Sequence, residues 1–177
     1  MTRLLAPLLV VFVLAGCASV EPASPVVGGE AFAGRLSVKV EPTAGTPARS
    51  LAAAFDLRGN PSAGTLGLST PLGSMLAEAR WRPGSVLLVT PQGTRRFADL
   101  ESLTREVLGE SVPIEAWFDW LHGRPWSGAA STPHPGAAGF SQLGWSVDLS
   151  RFAAGAVTAS RQQPVPPVAV RIQLDGS

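Results

Sequence analysis

Tyrosine is absent from this 177-residue chain, cysteine occurs once, and histidine and methionine occur twice each. A single cysteine excludes an intrachain disulfide, so an exported form of the chain must draw its stability from an apolar core. The two histidines, His122 and His134, have no cysteine or carboxylate at ligand spacing, which argues against a metal site. A nucleophile elbow, a P-loop and a dinucleotide fingerprint are also missing. Glu115 and Asp119 stand four apart, the spacing of a carboxylate pair, but a solvated helix face is the expectation there. No catalytic residue is assigned, and none of these patterns points to an enzyme. Neither sign of charge dominates: 14 basic residues stand against 13 acidic ones. Without a basic cluster, nucleic acid is excluded as a partner. The longest apolar run, Leu4 to Ala15, is about 12 residues, and a bilayer span needs about 20.

That run follows Met1-Thr2-Arg3 and ends Leu14-Ala15-Gly16-Cys17. A charged start, a short apolar stretch and small residues before a cleavage site form a secretion signal. The final four residues resemble the lipobox of bacterial lipoproteins. The resemblance implies that residues 1–16 are removed and that Cys17 receives an S-linked diacylglycerol and an N-linked acyl chain, palmitate being typical. Two chains already suffice for stable anchoring, and these covalent groups stand in place of any cofactor. Ala18, which is not acidic, favours the outer membrane over the inner one in such lipoproteins. Residues 17–30 contain Pro22, Pro25, Gly28 and Gly29 and no apolar period. They read as a flexible tether reaching roughly 20 Å.

From Ala31 the pattern changes, and residues 31–177 read as one domain. Leu36, Val38 and Val40 alternate with polar neighbours, as do Leu51, Ala53, Phe55 and Leu57. Further strands are expected around Leu66 and Leu68, over Met75–Trp81, over Val86–Val89 and near Phe97. Two helices follow. Asp99 can cap the first, whose Leu100, Leu103 and Val107 share a face before Gly109. Pro113 suits the first position of the second, where Ile114, Trp117, Phe118 and Leu121 line one face and Trp120 widens it. His122 ends that helix, a favourable place for its charge. Residues 126–139, rich in Ser, Gly, Ala and Pro, read as an exposed loop. Strands resume at Phe140–Gln142, Trp145–Leu149, Val157–Ser160 and Val168–Leu174. The order of five or six strands, two helices and three or four strands predicts a mainly β (α+β) domain. Its large antiparallel sheet curves round the helices, which bury their aromatic faces on its apolar side.

Several short motifs fall along this order: Phe32-Ala33-Gly34-Arg35, Thr70-Pro71-Leu72-Gly73-Ser74, Leu108-Gly109 with Val112-Pro113-Ile114, Trp120-Leu121-x-Gly123-x-Pro125, and Phe140-Ser141-Gln142-x-Gly144-Trp145. With the lipobox, they resemble the LolB family of outer-membrane lipoprotein receptors over Phe32 to about Leu174. The resemblance implies an unclosed β-barrel whose helices plug an apolar cavity. It implies a monomer, lipid-anchored on the periplasmic face of the outer membrane. That monomer takes lipoprotein cargo by its acyl chains from a soluble LolA-like carrier and inserts it in the membrane. Phe55, Leu66, Leu68, Trp117, Phe118, Trp120, Leu121 and Trp145 are the candidate cavity residues, each equally suited to ordinary core packing. The loop Pro71-Leu72-Gly73 matches the family's protruding loop, whose leucine enters the membrane. Family members often carry a helix before the first strand and a longer C-terminus. A smaller, less completely plugged cavity is therefore expected here. The rival class is a complex-assembly lipoprotein that binds protein partners, with a filled core and an apolar patch outside.

Overall fold

A computed structural model describes residues 29–45 and 47–176. The signal segment, Cys17 and nearly all of the tether lie outside the described residues. The described chain forms β1 (Glu30–Val40), β2 (Arg49–Asn60), β3 (Ala63–Ser69), β4 (Met75–Arg82), β5 (Ser85–Thr90) and β6 (Gly93–Phe97). Helices α1 (Leu100–Leu108) and α2 (Ile114–Trp120) come next. Then come β7 (Ser131–Pro133), β8 (Gly139–Gln142), β9 (Trp145–Asp148), β10 (Ala156–Arg161) and β11 (Val168–Leu174).

All strands join one antiparallel sheet in the order β6-β5-β4-β3-β2-β1-β11-β10-β9-β8-β7. Two meanders meet where β1 pairs with β11, Val40 opposite Val168 and Gly34 opposite Leu174. The free edges are β6 and β7, so the barrel does not close. The helical segment leaves one free edge and returns to the other, which places it across the open seam.

Alternation sets the faces. Leu36, Val38, Val40, Phe55, Leu57, Val170 and Ile172 point inward and are buried, in one cluster with the buried helix residues. Burying a side chain such as Leu57, which has no exposed surface, contributes about 1.5–3 kcal/mol. Helix α1 begins as its sequence suggests. The Asp99 carboxylate accepts from the Ser102 amide at 2.7 Å, and Gly109 ends the helix in the left-handed conformation.

Some expectations are corrected. Pro113 is the N-cap of α2 rather than its first residue, and Leu121 is the C-cap. The segment 126–139 is not all loop, because Ser131–Pro133 pairs with Phe140–Gln142 as the outermost strand. Pro133 is tolerated there because an edge strand has a side that needs no donor. The Glu115/Asp119 face of α2 is only partly solvated. Both residues are half-buried, since a seven-residue helix set inside a curved sheet has walls on either side. Asp119 accepts from Arg124 Nε at 2.6 Å, and burial raises the Glu115 carboxyl above its ordinary pKa, with help from Asp99 and Glu101.

Candidate functional site

The two helices cover the concave face in different ways. Under α1 the sheet offers small or aliphatic side chains: Leu66, Leu68, Ala77, Ala79 and Leu88. The helix contributes Leu103, Val107 and Leu108, and Val112, Ile114 and Trp117 close the far side. Between them lies a cavity of about 50 Å³. Thr104 is its only lining residue with a side-chain hydroxyl. That hydroxyl donates to the Glu101 carbonyl at 3.1 Å and accepts from the Val112 amide at 3.1 Å, so it presents no free polarity. The cavity shares Val38, Leu51, Val107 and Leu108 with a groove of about 140 Å³ that reaches Arg49 and Ser50. The apolar interior thus opens toward one end of the barrel, beside the C-terminus of α1.

Beyond the cavity wall that Ile114 and Trp117 provide, the inner side of α2 is packed with rings. Trp117, Phe118 and Trp120 are 2–3% exposed. Phe118 meets Trp81 and Phe32 edge-on, and Trp120 meets Phe140 edge-on and Trp145 at a tilt, all with ring centroids 6.2–6.4 Å apart. Gln142, 2% exposed, ties this block together. Its carbonyl accepts from the Trp120 indole at 2.9 Å and the Trp126 amide at 2.9 Å. Its amide donates to the carbonyls of Trp126 and Ala129, both at 2.7 Å. All four hydrogen-bonding capacities of the buried side chain are used.

Of the eight cavity candidates, Leu66, Leu68 and Trp117 line the cavity. Phe55, Phe118, Trp120, Leu121 and Trp145 lie in the packed core. Leu103 and Val107, on the apolar face of the first helix, line the cavity as well. Bulky rings fill space, and a void forms where alanines and aliphatic side chains face one another.

Two ion pairs hold the α1 segment to the sheet. Arg95 of β6 donates to Glu106 at 3.0 Å, with both side chains well exposed. Arg161, at the end of β10, donates to Glu110 just beyond α1 at 2.6 Å, and its side chain is only 9% exposed. The Arg161 guanidinium also lies 5.4 Å from the Trp145 ring centre, while its Nε has no hydrogen-bond partner. His122 Nδ1 sits 2.9 Å from the Phe118 carbonyl at the end of α2. His134 Nε2 lies 3.1 Å from Ser141 Oγ between β7 and β8.

The loop between β3 and β4 is a tight turn. The Gly73 amide donates to the Thr70 carbonyl at 2.9 Å, and the Thr70 amide donates back to Ser74 at 2.9 Å. Gly73 has φ +83°, a value a glycine adopts without cost. Pro71 fixes the preceding bend, and Leu72 stands 95% exposed at the tip.

The described residues thus form an open antiparallel half-barrel, with helices across its seam and an apolar cavity beneath one of them. Residues 31–176 match the family model of the outer membrane lipoprotein LolB. Similar curated proteins carry the name outer-membrane lipoprotein LolB. The one from Bordetella pertussis is 33% identical over 94% of this chain and 88% of its own length. That of Ralstonia nicotianae is 33% identical over 76% and 69%, and that of Chromobacterium violaceum 30% identical over 79% and 78%. The chain belongs to the LolB family of outer membrane lipoproteins. No helix among the described residues is long and apolar enough to cross a membrane.

Proposed function

We propose that this protein accepts lipoproteins from a soluble periplasmic carrier and inserts them into the outer membrane, holding their acyl chains beneath α1. It performs no covalent chemistry in this role. It acts as a monomer anchored through acyl groups on Cys17 at the periplasmic face. The observation that carries the reading is the wholly apolar cavity under an amphipathic helix, opening at one end of the barrel. An acyl chain cannot cross water exposed, because each buried methylene is worth about 0.8 kcal/mol.

The cavity is closed down in this conformation. About 50 Å³ holds a few waters, whereas ligand pockets run to roughly 300–1,000 Å³. Cargo therefore requires α1 to lift from the sheet, swinging on the links at Asp99 and Gly109. Breaking Arg95–Glu106 and Arg161–Glu110 accompanies that motion. Leu72 serves the later step, entering the bilayer so that cargo leaves into lipid. The small volume is also the one observation favouring the rival, a lipoprotein that binds protein partners with a filled core.

The test offers carrier-bound, radiolabelled lipoprotein to the protein and follows the label. Label moving to this chain, and from it to liposomes, is the expected result. Absence of the first transfer, together with failure of fluorescent acyl probes to bind, would establish the rival. Leu72→Glu should accept cargo normally and release it into liposomes at least tenfold more slowly, with unchanged thermal unfolding.

A further inference from the structure

The turns of the sheet fall at two ends. At one end lie the β1–β2 loop, the β3–β4 loop, the β5–β6 turn, the β8–β9 turn and the β10–β11 loop, together with the C-terminus of α1. The pairings fix this: Val40 faces Arg49 and Val168, Arg161 faces Val168, and Ser146 faces Ser160. Every exposed large apolar side chain among the described residues sits at this end. Leu72, Leu143 and Val165 are 95%, 45% and 61% exposed on three separate turns. Met75 and Leu76 begin β4, and Val107 is in the last turn of α1. The groove from the cavity opens at the same end, beside Val107 and Arg49.

Leu143 stands out. It and Gly144 form a two-residue hairpin between Gln142 and Trp145, with φ +54° and +77°. Such a turn favours Asn-Gly, because both residues must take the left-handed conformation. Leu143 is the only non-glycine residue with positive φ among the described residues. A leucine there is strained by its backbone and wetted by its side chain, so neither the fold nor solvation accounts for it. An observed outlier of this kind is grounds for a functional hypothesis.

We propose that Leu143 and Val165 are bilayer-contacting residues that act with Leu72 to seat the barrel end, cavity mouth down, on the lipid surface. The proposal rests on the membrane role of Leu72 and extends it. At about 4.8 Å per strand step, the Val165 loop lies roughly 20 Å and the Leu143 turn roughly 30 Å from Leu72 along the curved sheet. Isolated apolar tips at such spacing do not make a protein-docking patch, which is contiguous with a buried centre. A bilayer accepts them singly. One inserted leucine leaves the protein free to tilt, whereas three points define a plane. That plane sets the groove against lipid, so a departing acyl chain meets no water.

The test uses the full lipidated chain in vesicles of phosphatidylethanolamine and phosphatidylglycerol containing a spin-labelled lipid quencher. Leu72→Cys, Leu143→Cys, Val165→Cys and, at the opposite end, Ser62→Cys each carry an environment-sensitive fluorophore. The unsubstituted chain corrects for any label on Cys17. Quenching at positions 72, 143 and 165 at least twofold above that at position 62 is expected. Quenching at 72 alone overturns the three-point seat and leaves the single-loop reading intact. Quenching at none removes both. Shielding of 143 and 165 by the soluble carrier without quenching by lipid makes that rim a protein interface and overturns the proposal. A second variant removes ambiguity about folding. Leu143→Asn should raise the melting temperature by about 2–4 °C, as relief of left-handed strain would, yet slow release into liposomes severalfold. A lowered melting temperature would show Leu143 to be a packing residue and sink the proposal.

Discussion

The α1 and α2 sectors cover the same sheet face with opposite physics. Around α2, aromatic rings fill the volume and Gln142 satisfies every polar group it meets. Under α1, aliphatic side chains leave a void beside the buried Leu100 and Leu103, and two ion pairs tie the α1 segment to the sheet from outside. A packed interface resists displacement because each lost contact exposes surface and opens a cavity. An interface that already contains a void loses less on parting. Under the proposed function, α2 is the frame and α1 the lid.

The largest effect should come from breaking the frame. Trp120→Ala is expected to cost about 3–5 kcal/mol and to abolish transfer by unfolding, checked by urea denaturation. Gln142→Leu strands the Trp120 indole and the Trp126 amide in the interior, and about 2–4 kcal/mol should be lost. On the lid, Glu110→Gln leaves the Arg161 charge buried without its partner. A loss of about 2 kcal/mol is expected, partly offset by the Trp145 ring. Its sharper readout is hydrogen exchange, where α1 amides should speed up more than α2 amides. Equal acceleration in both helices would erase the distinction between lid and frame.

The smallest effect concerns Glu115. Burial raises its carboxyl pKa in the folded state, so the folded protein binds more protons there than the unfolded chain between the two values. Stability from this group is complete below the unfolded pKa of about 4.3 and falls as pH rises through the folded value. Glu115→Gln should therefore be slightly more stable than the parent at pH 7, and the difference should vanish near pH 4. A gain that persists at pH 4 would point to packing rather than charge.

Local features were legible in the sequence because their causes are local. Period-two alternation placed Leu36, Val38 and Val40 inward, Asp99 and Gly109 bounded α1, and Pro71-Gly73 put Leu72 on a tight turn. Misreadings came where a neighbour far along the chain decides. Ser131–Pro133 became a strand because β8 was there to pair with it. The carboxylates of α2 lost part of their solvent because the curved sheet rises beside them.

The sequence by itself determined every strand but β7, the limits of α1, the apolar faces and the exposed Leu72, all set by side-chain period, capping and turn chemistry within a few residues. Only the tertiary structure decided where the cavity lies, that Arg161 reaches Glu110 across 51 residues, and that Leu72, Leu143 and Val165 share one end of the barrel. Those properties depend on which distant segments are brought together, and the register of an eleven-stranded sheet is a through-space arrangement that no local pattern encodes.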